Sequence, residues 1–431
     1  MENSFILKGN ICQTKNPKEL DIHENAYAVC VDGVSKGVFD ILPQEYASLP
    51  LYDYGDALIF PGMVDLHVHA PQYTFRGMCM DLELMEWLNS YTFPEEEKYE
   101  DLEYAEKAYR LFVDALKNGA TTRACIFATR HRPATQLLME LMEESGLISY
   151  VGKVNMDREA SKALTEESAA MSALTTLRWI HDVKDKCTNT KPILTPRFIP
   201  CCTDELMAQL REIQMAFGLP VQSHLSESKS EIEFVKSLRP DDPFYGASYN
   251  AYDLFGKNDD IHTDVKTVMA HCVWSTEEEV ALMHQNGVFV AHCPASNMNL
   301  TSGIAPIRKY LDRGLHIGLG TDVAGGHSES IFRAITDAIQ VSKMYFRMVD
   351  ESVKPLVFSE AFYLATKGGG AFFGNAGSFE AGYAFDAVVL DDRVLSHPQD
   401  LKLAERMERA VYLGLDEKGI ISKFVAGRKI L

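Results

Sequence analysis

The chain has 431 residues, 46% hydrophobic and 24% charged, an ordinary globular balance with enough apolar side chains for a large core. Its 61 acidic and 42 basic residues give a net charge of −19; such a surface repels polyphosphate and excludes nucleic acid or an anionic membrane face as the expected partner, but not a small neutral ligand or a cation. No apolar run approaches the roughly 20 residues of a membrane span, and MENSFILKGN lacks the apolar stretch of a secretory leader.

Nine scattered cysteines, with no C-x-x-C pair, predict buried thiols in a reducing cytoplasm. Residues 1–60 read as short strands and turns, with DGVSKGVFD as a hairpin. From residue 61 the pattern becomes helix, glycine, strand. Leu102, Ala105, Tyr109, Phe112 and Leu116 stand at helical spacing and predict a helix over 99–118. Gly119 is expected to end it in the left-handed conformation, as are Gly146, Gly218, Gly287 and Gly314 after later helices. Ser275 and Glu278 predict a capping box.

Eight apolar strands are expected near 63–69, 121–129, 149–155, 193–198, 221–224, 267–271, 288–292 and 315–321. Eight alternating units predict an α/β fold, a (β/α)8 TIM-type barrel over 61–374, with a doubly wound open sheet as the competing arrangement. Residues 375–431 return to short strands, FDAVVLDD and KFVAGRKIL. With 1–60 they are expected to form one small β-sandwich-like domain, since each piece is small for a core of its own.

The sharpest chemical signal is PGMVDLHVHAPQY. His67 and His69, two apart on a strand, face one way. An isolated H-x-H is also consistent with two hydrogen-bonded core histidines. Here, however, His224, His271, His292 and Asp322 each end a later apolar strand, where barrel enzymes collect catalytic residues. Imidazole and carboxylate ligands suit Zn²⁺ or Fe²⁺. A site of His67, His69, His224 and Asp322 leaves room for a water whose pKa the ion brings toward ~7. Glu227, three residues after His224, is placed to carry a proton into the same pocket. PCCTD at 200–204 is not the P-C-x-x-C of the zinc nucleoside deaminases, and His327-Ser-Glu329 matches their H-x-E by spacing only. No strand-end lysine stands where a carbamylated bridge would support two metals.

The order PGMVDLHVH, SHLSES, AHC at 270–272, HCPASN, GTDVAGG and GSFEAGYAFDAVVLD resembles the amidohydrolase superfamily, in its mononuclear purine and pyrimidine deaminase branch, over nearly the whole chain. ATKGGGAFFG also fits. HVHAPQY with MEWLNSYTFPEE, TPRFIPCC, SHLSES and GTDVAGGHS are similar to the guanine-deaminating members of that branch. The resemblance implies His67, His69, His224 and Asp322 as ligands of one Zn²⁺ per subunit, with Fe²⁺ as the alternative. It implies Glu227 as proton shuttle. His271, with Asp322, would orient or deprotonate the attacking water and border the substrate. Gln72, Arg197 and Phe198 would bind the base. His292 is given structural work, through Ser296 and Asn297. The implied activity is deamination of guanine to xanthine and ammonia by a cytoplasmic homodimer acting on a free purine base. A related deaminase of a modified guanine, pterin or triazine is the rival, and a metal-free scaffold a second.

Overall fold

The computed structural model describes residues 3–257 and 265–431. Their fold is α/β, with parallel sheets at its centre. One four-stranded parallel sheet runs, in order, through Met63–His69, Thr121–Phe127, Ile148–Gly152 and Thr190–Pro192. A second runs through Val221–Leu225, Thr267–His271, Phe289–His292 and His316–Leu319. Each strand neighbours the next in sequence, as helical crossovers produce. Strands covered on both faces need near-continuous apolar runs; every residue of Met63–His69 and of Thr121–Phe127 is buried.

Hydrogen bonds join the two sheets at both seams. Leu194 bridges Val221, with Gln222 N donating to Leu194 O at 2.9 Å. On the other side Asp322 N donates to His67 O at 2.8 Å and His69 N to Val323 O at 3.1 Å. These bonds set the C-terminal ends of the first and last strands side by side.

The two chain ends share one seven-stranded sheet, in the order Arg428–Lys429, Ile420–Val425, Ala387–Leu390, Leu51–Pro61, Phe5–Gln13, Asp21–Val31 and Val34–Phe39. The expected hairpin turns at Asp32 and Gly33, both at positive φ (+52° and +79°). Phe5, Leu7, Ile11, Ile59, Phe385 and Phe424 pack in the core of this sheet. Two buried charges tie it to the parallel sheets. Arg123 Nε meets Asp386 Oδ2 at 2.5 Å, and Lys423 Nζ donates to Leu116 O and Thr121 O, both at 2.9 Å.

Several local expectations shift. The helix over 99–118 begins at Leu102, where the Asp101 carboxylate accepts from Glu103 N. Gly119 is extended (φ −80°, ψ −172°) rather than left-handed, because only Gly119 and Ala120 separate the helix from the strand at Thr121. Gly146, Gly218, Gly287 and Gly314 do take positive φ. The cap expected at Ser275 lies one residue on: Thr276 accepts from Glu279 N, and the Glu279 carboxylate turns inward to Ser226 and Gly246 N. The fourth strand is broken into Thr190–Pro192 and Thr195–Pro196. Residues 375–431 also hold a helix, Leu403–Tyr412, whose Leu403, Met407, Ala410 and Val411 form one buried face. Among the described residues no helix is long and apolar enough to cross a membrane, and all nine cysteines are free.

Candidate active site

His67 and His69 project from the first parallel strand, His224 from the fifth, and His271 ends the sixth. Asp322 lies just beyond the eighth. His67, His69 and His271 lie within 3.7 Å of that carboxylate, and His224 joins the group through His69. His69 Nε2 lies 3.2 Å from His67 Nε2 and 3.3 Å from His224 Nε2. Asp322 Oδ1 lies 3.0 Å from His67 Nε2 and 3.4 Å from His69 Nε2. Phe127 packs against all three rings, at centroid distances of 4.6–4.9 Å. His271 and Asp322 hold positive φ (+74° and +49°), a strain of about 1–3 kcal/mol each that surrounding packing must maintain.

This donor set fits a single divalent ion. Four ligand atoms placed tetrahedrally about 2.0–2.1 Å from one centre stand about 3.4 Å apart, and four of the six pairs among these atoms lie 3.0–3.4 Å apart. Ligand histidines must be neutral. Burial lowers the pKa of His67, and lowers those of His69 and His224 strongly. His224 Nδ1 donates to the Arg197 carbonyl at 2.6 Å. A carbonyl only accepts, so that bond leaves the lone pair on Nε2, facing the cluster. Burial pushes the Asp322 carboxyl up, but His67 and His271 outweigh it and keep it ionised.

Beneath these side chains, the buried Asp65 accepts from His67 N and Thr321 N at 3.1 Å and from Thr321 Oγ1 at 2.5 Å. It thereby clamps the first strand to the end of the eighth.

Glu227 follows the His224 strand in a tight turn. Its backbone N–H donates to Glu231 Oε2 at 2.9 Å, within the capping box of the helix Lys229–Leu238. Its carboxylate accepts from Ser302 Oγ at 3.2 Å and lies 3.4 Å from His271 Nε2. Burial pushes the Glu227 carboxyl up to about 7. Burial lowers His271, but the Glu227 and Asp322 carboxylates outweigh it and its pKa is raised. His271 Nδ1 is paired with Asn297 Oδ1 at 2.9 Å, and its Nε2 lies 3.7 Å from Asp322 Oδ2.

Above these groups opens a partly open cavity. Leu84, Trp87, Leu88, Phe198 and Leu300 supply apolar walls; Gln72 and Arg197 supply donors. Both donors meet Glu96, a fully buried carboxylate. Arg197 Nη1 and Nη2 reach Glu96 Oε2 and Oε1 at 2.6 and 3.1 Å, and Gln72 Nε2 reaches Oε1 at 2.8 Å.

A family model for the amidohydrolase family matches residues 58–429. The chain belongs to the amidohydrolase family. The guanine deaminase of Dictyostelium discoideum is 38% identical over 386 residues, 88% of this chain and 83% of that protein. The guanine deaminase of Mus musculus is 40% identical over 386 residues, 86% of this chain and 82% of that protein. A crystal structure of a guanine deaminase from C. acetobutylicum, with guanine bound in its active site, matches with a TM-score of 0.95 and 45% identity, covering 99% of this chain and 100% of that one.

Amidohydrolases are metal-dependent, and the His/His/His/Asp cluster here can hold a metal. His67, His69, His224, Asp322, Glu227, His271, Gln72, Arg197 and Phe198 all lie at this one site. His292 does not join it. Its two ring nitrogens are buried without a hydrogen-bond partner among the described residues, as are Ser296 Oγ and Asn297 Nδ2. The expected bonds from His292 to that loop are therefore not made; Asn297 serves His271 instead. His327 and Glu329 lie outside the cluster, beside Asn299 and Arg76 respectively. Glu96, Ser302 and Asn297 are the site residues given no such place from sequence. The one available signal for Glu96 was its position at the end of the quoted MEWLNSYTFPEE segment.

Proposed function

We propose that this chain is a guanine deaminase: guanine and water become xanthine and ammonia. The observation that carries the reading is the meeting of three neutral imidazoles and one carboxylate at the floor of a cavity whose wall holds Gln72 and Arg197. The relatives and the guanine-bound structure named above support the same substrate.

His67, His69, His224 and Asp322 hold the ion, Zn²⁺ by the nitrogen-rich donor set and Fe²⁺ as the alternative. Bound there, it supplies a water acidic enough to act as nucleophile near neutral pH. Glu227, with its carboxyl at about 7, holds the proton that goes to ring N3 as C2 becomes tetrahedral, then carries the hydroxyl proton of that centre to the departing amine and is itself restored by the proton held on His271. His271, between the Glu227 and Asp322 carboxylates, holds the proton given up by the water. Arg197 and Gln72 donate to the carbonyl edge, which points the 2-amino group toward the histidines. Adenine would set its 6-amine against those donors, a mismatch that a buried site rejects strongly. Phe198 lies against the ring face.

The wider reading has four parts. The two parallel sheets form one (β/α)8 barrel over 61–374, supported by the bonds at both seams. Residues 1–60 and 375–431 form a β-rich domain around the shared sheet. The free thiols suit a cytoplasmic protein. The working unit is a homodimer.

The test is ammonia release from a panel of guanine, adenine, a pterin and a triazine, before and after chelation. Guanine is expected to be the preferred substrate, with activity lost to chelator and restored by Zn²⁺. Turnover of another base in preference to guanine, or full activity in a protein proven free of metal, would overturn the reading.

A further inference from the structure

Glu96 sits on the short helix Phe93–Glu97, far in sequence from the residues it joins. It is fully buried, and each of its carboxylate oxygens accepts from Arg197, while Oε1 also accepts from Gln72 Nε2. Phe93 of the same helix lies under the guanidinium, with Cζ 5.1 Å from the ring centroid. At the other end of the Gln72 amide, Oε1 accepts from Ala324 N at 3.1 Å, two residues past Asp322.

These contacts leave the Gln72 amide one orientation. An ionised carboxylate only accepts, so it must face the NH₂ end; a backbone N–H only donates, so it must face the oxygen. The flipped amide would set oxygen against carboxylate and NH₂ against N–H, between buried groups where either clash is costly. One N–H of Gln72 Nε2 is consumed by Glu96, and the second has no partner among the described residues. Arg197 likewise keeps its Nε–H and the second hydrogens of both terminal nitrogens. Both groups line the cavity. The wall therefore offers donors only.

We propose that Glu96 is a specificity-determining positioning residue: as a buried acceptor shared by Gln72 and Arg197, it locks both as donors, so that the site takes a purine with a carbonyl rather than an amine at position 6. The inference rests on the reading of the chain as a guanine deaminase. Glu96 does not touch the base; it acts through Gln72 and Arg197. In Glu96→Gln the new amide can donate to the Gln72 oxygen, which lifts the clash at the carboxylate and leaves only the one at Ala324 N against a turned Gln72 that offers its carbonyl to an amine. In Glu96→Asp the partner remains acceptor-only, and the donor wall is retained although the shorter chain reaches it less well.

The experiment compares guanine with 2,6-diaminopurine, which carries the same 2-amino group but an amine in place of the 6-carbonyl. Xanthine and isoguanine formation are followed with zinc-loaded full-length wild type, Glu96→Gln and Glu96→Asp. Metal content is measured in each. Loss of one charged buried hydrogen bond predicts a ~10–100-fold fall in kcat/KM for guanine in Glu96→Gln, chiefly through KM. The preference for guanine should fall at least ~10-fold in the same variant, since a polar match no longer rejects the amine. Glu96→Asp should raise KM but keep the preference within ~3-fold of wild type, because its carboxylate still only accepts. A merely structural role would lower the amount of active enzyme without changing the preference. An unchanged preference in Glu96→Gln, or loss of preference in Glu96→Asp, overturns the inference while the functional reading stands. Should Glu96→Gln not fold, the aspartate variant decides by the same criterion. Wild type that makes no xanthine from guanine overturns the functional reading, and this inference with it.

Discussion

Replacing Glu227 with Gln tests the proton-transfer role most cleanly. The side chain is nearly isosteric and stays within reach of Ser302 Oγ and His271 Nε2, which lie 3.2 and 3.4 Å from the present carboxylate. What disappears is the exchangeable proton. Burial places the Glu227 carboxyl at about 7, so both of its forms are populated near neutral pH and one group can both give and take. Positioned general acid–base catalysis contributes about 10²–10⁴-fold, which is about 3–5 kcal/mol of barrier. Glu227 serves two transfers in each turnover, to N3 and to the amine, which puts the expectation at the upper end, ~10⁴ in kcat. The assay is the initial rate of xanthine formation at saturating guanine, with metal content and guanine affinity measured alongside. Affinity and metal should stay within a few-fold of wild type. A kcat within ten-fold of wild type, in protein retaining its metal, would show that the acid has been misassigned.

Arg197→Ala removes a donor to the base and leaves Glu96 buried without its charged partner. KM for guanine should rise at least ~100-fold, and unfolding free energy should drop by about 3–5 kcal/mol, the cost of an uncompensated buried charge; an unchanged KM would remove Arg197 from base recognition. Lys423 carries a pH dependence unrelated to catalysis. Burial lowers its pKa to about 7, while in the unfolded chain it stays near ~10.4. Between those values the unfolded state binds the extra proton, so stability rises with pH and is lowest below 7, where the buried ammonium must be kept charged. From pH 7 to pH 9 this one group should add about 2 kcal/mol to the unfolding free energy. Denaturant melts of wild type and Lys423→Met at the two pH values measure it, and an equal rise in the variant would contradict the assignment.

Much of the scaffold was legible because buried parallel strands must be apolar almost throughout: Met63–His69 and Thr267–His271 coincide with their expected bounds. The histidines were legible for the complementary reason. An imidazole ending such a strand is a polar group in an apolar place, and five of them in one chain ask for a common purpose. Glu96 was hidden because FPEEE reads as the solvated start of a helix, and its partner Arg197 lies 101 residues away. Ser302 was hidden in the same way until the fold sets it beside Glu227, whereas Asn297 was assigned to His292 and pairs with His271 instead. His292 misled in the opposite sense: its strand-end position matched the others, yet its buried ring nitrogens have no hydrogen-bond partner among the described residues. The Leu403–Tyr412 helix escaped a reading of short strands because its four buried residues are spread through a strongly charged stretch.

The central claim is that segments from the first, fifth and eighth parallel strands grip one divalent ion. Crystals of the protein grown with zinc, measured on both sides of the zinc absorption edge, test it directly. The account predicts one strong anomalous peak about 2.0–2.2 Å from the Nε2 atoms of His67, His69 and His224 and from an Asp322 oxygen. A map with no peak among these four side chains, or with zinc bound elsewhere while guanine is still turned over, would contradict it.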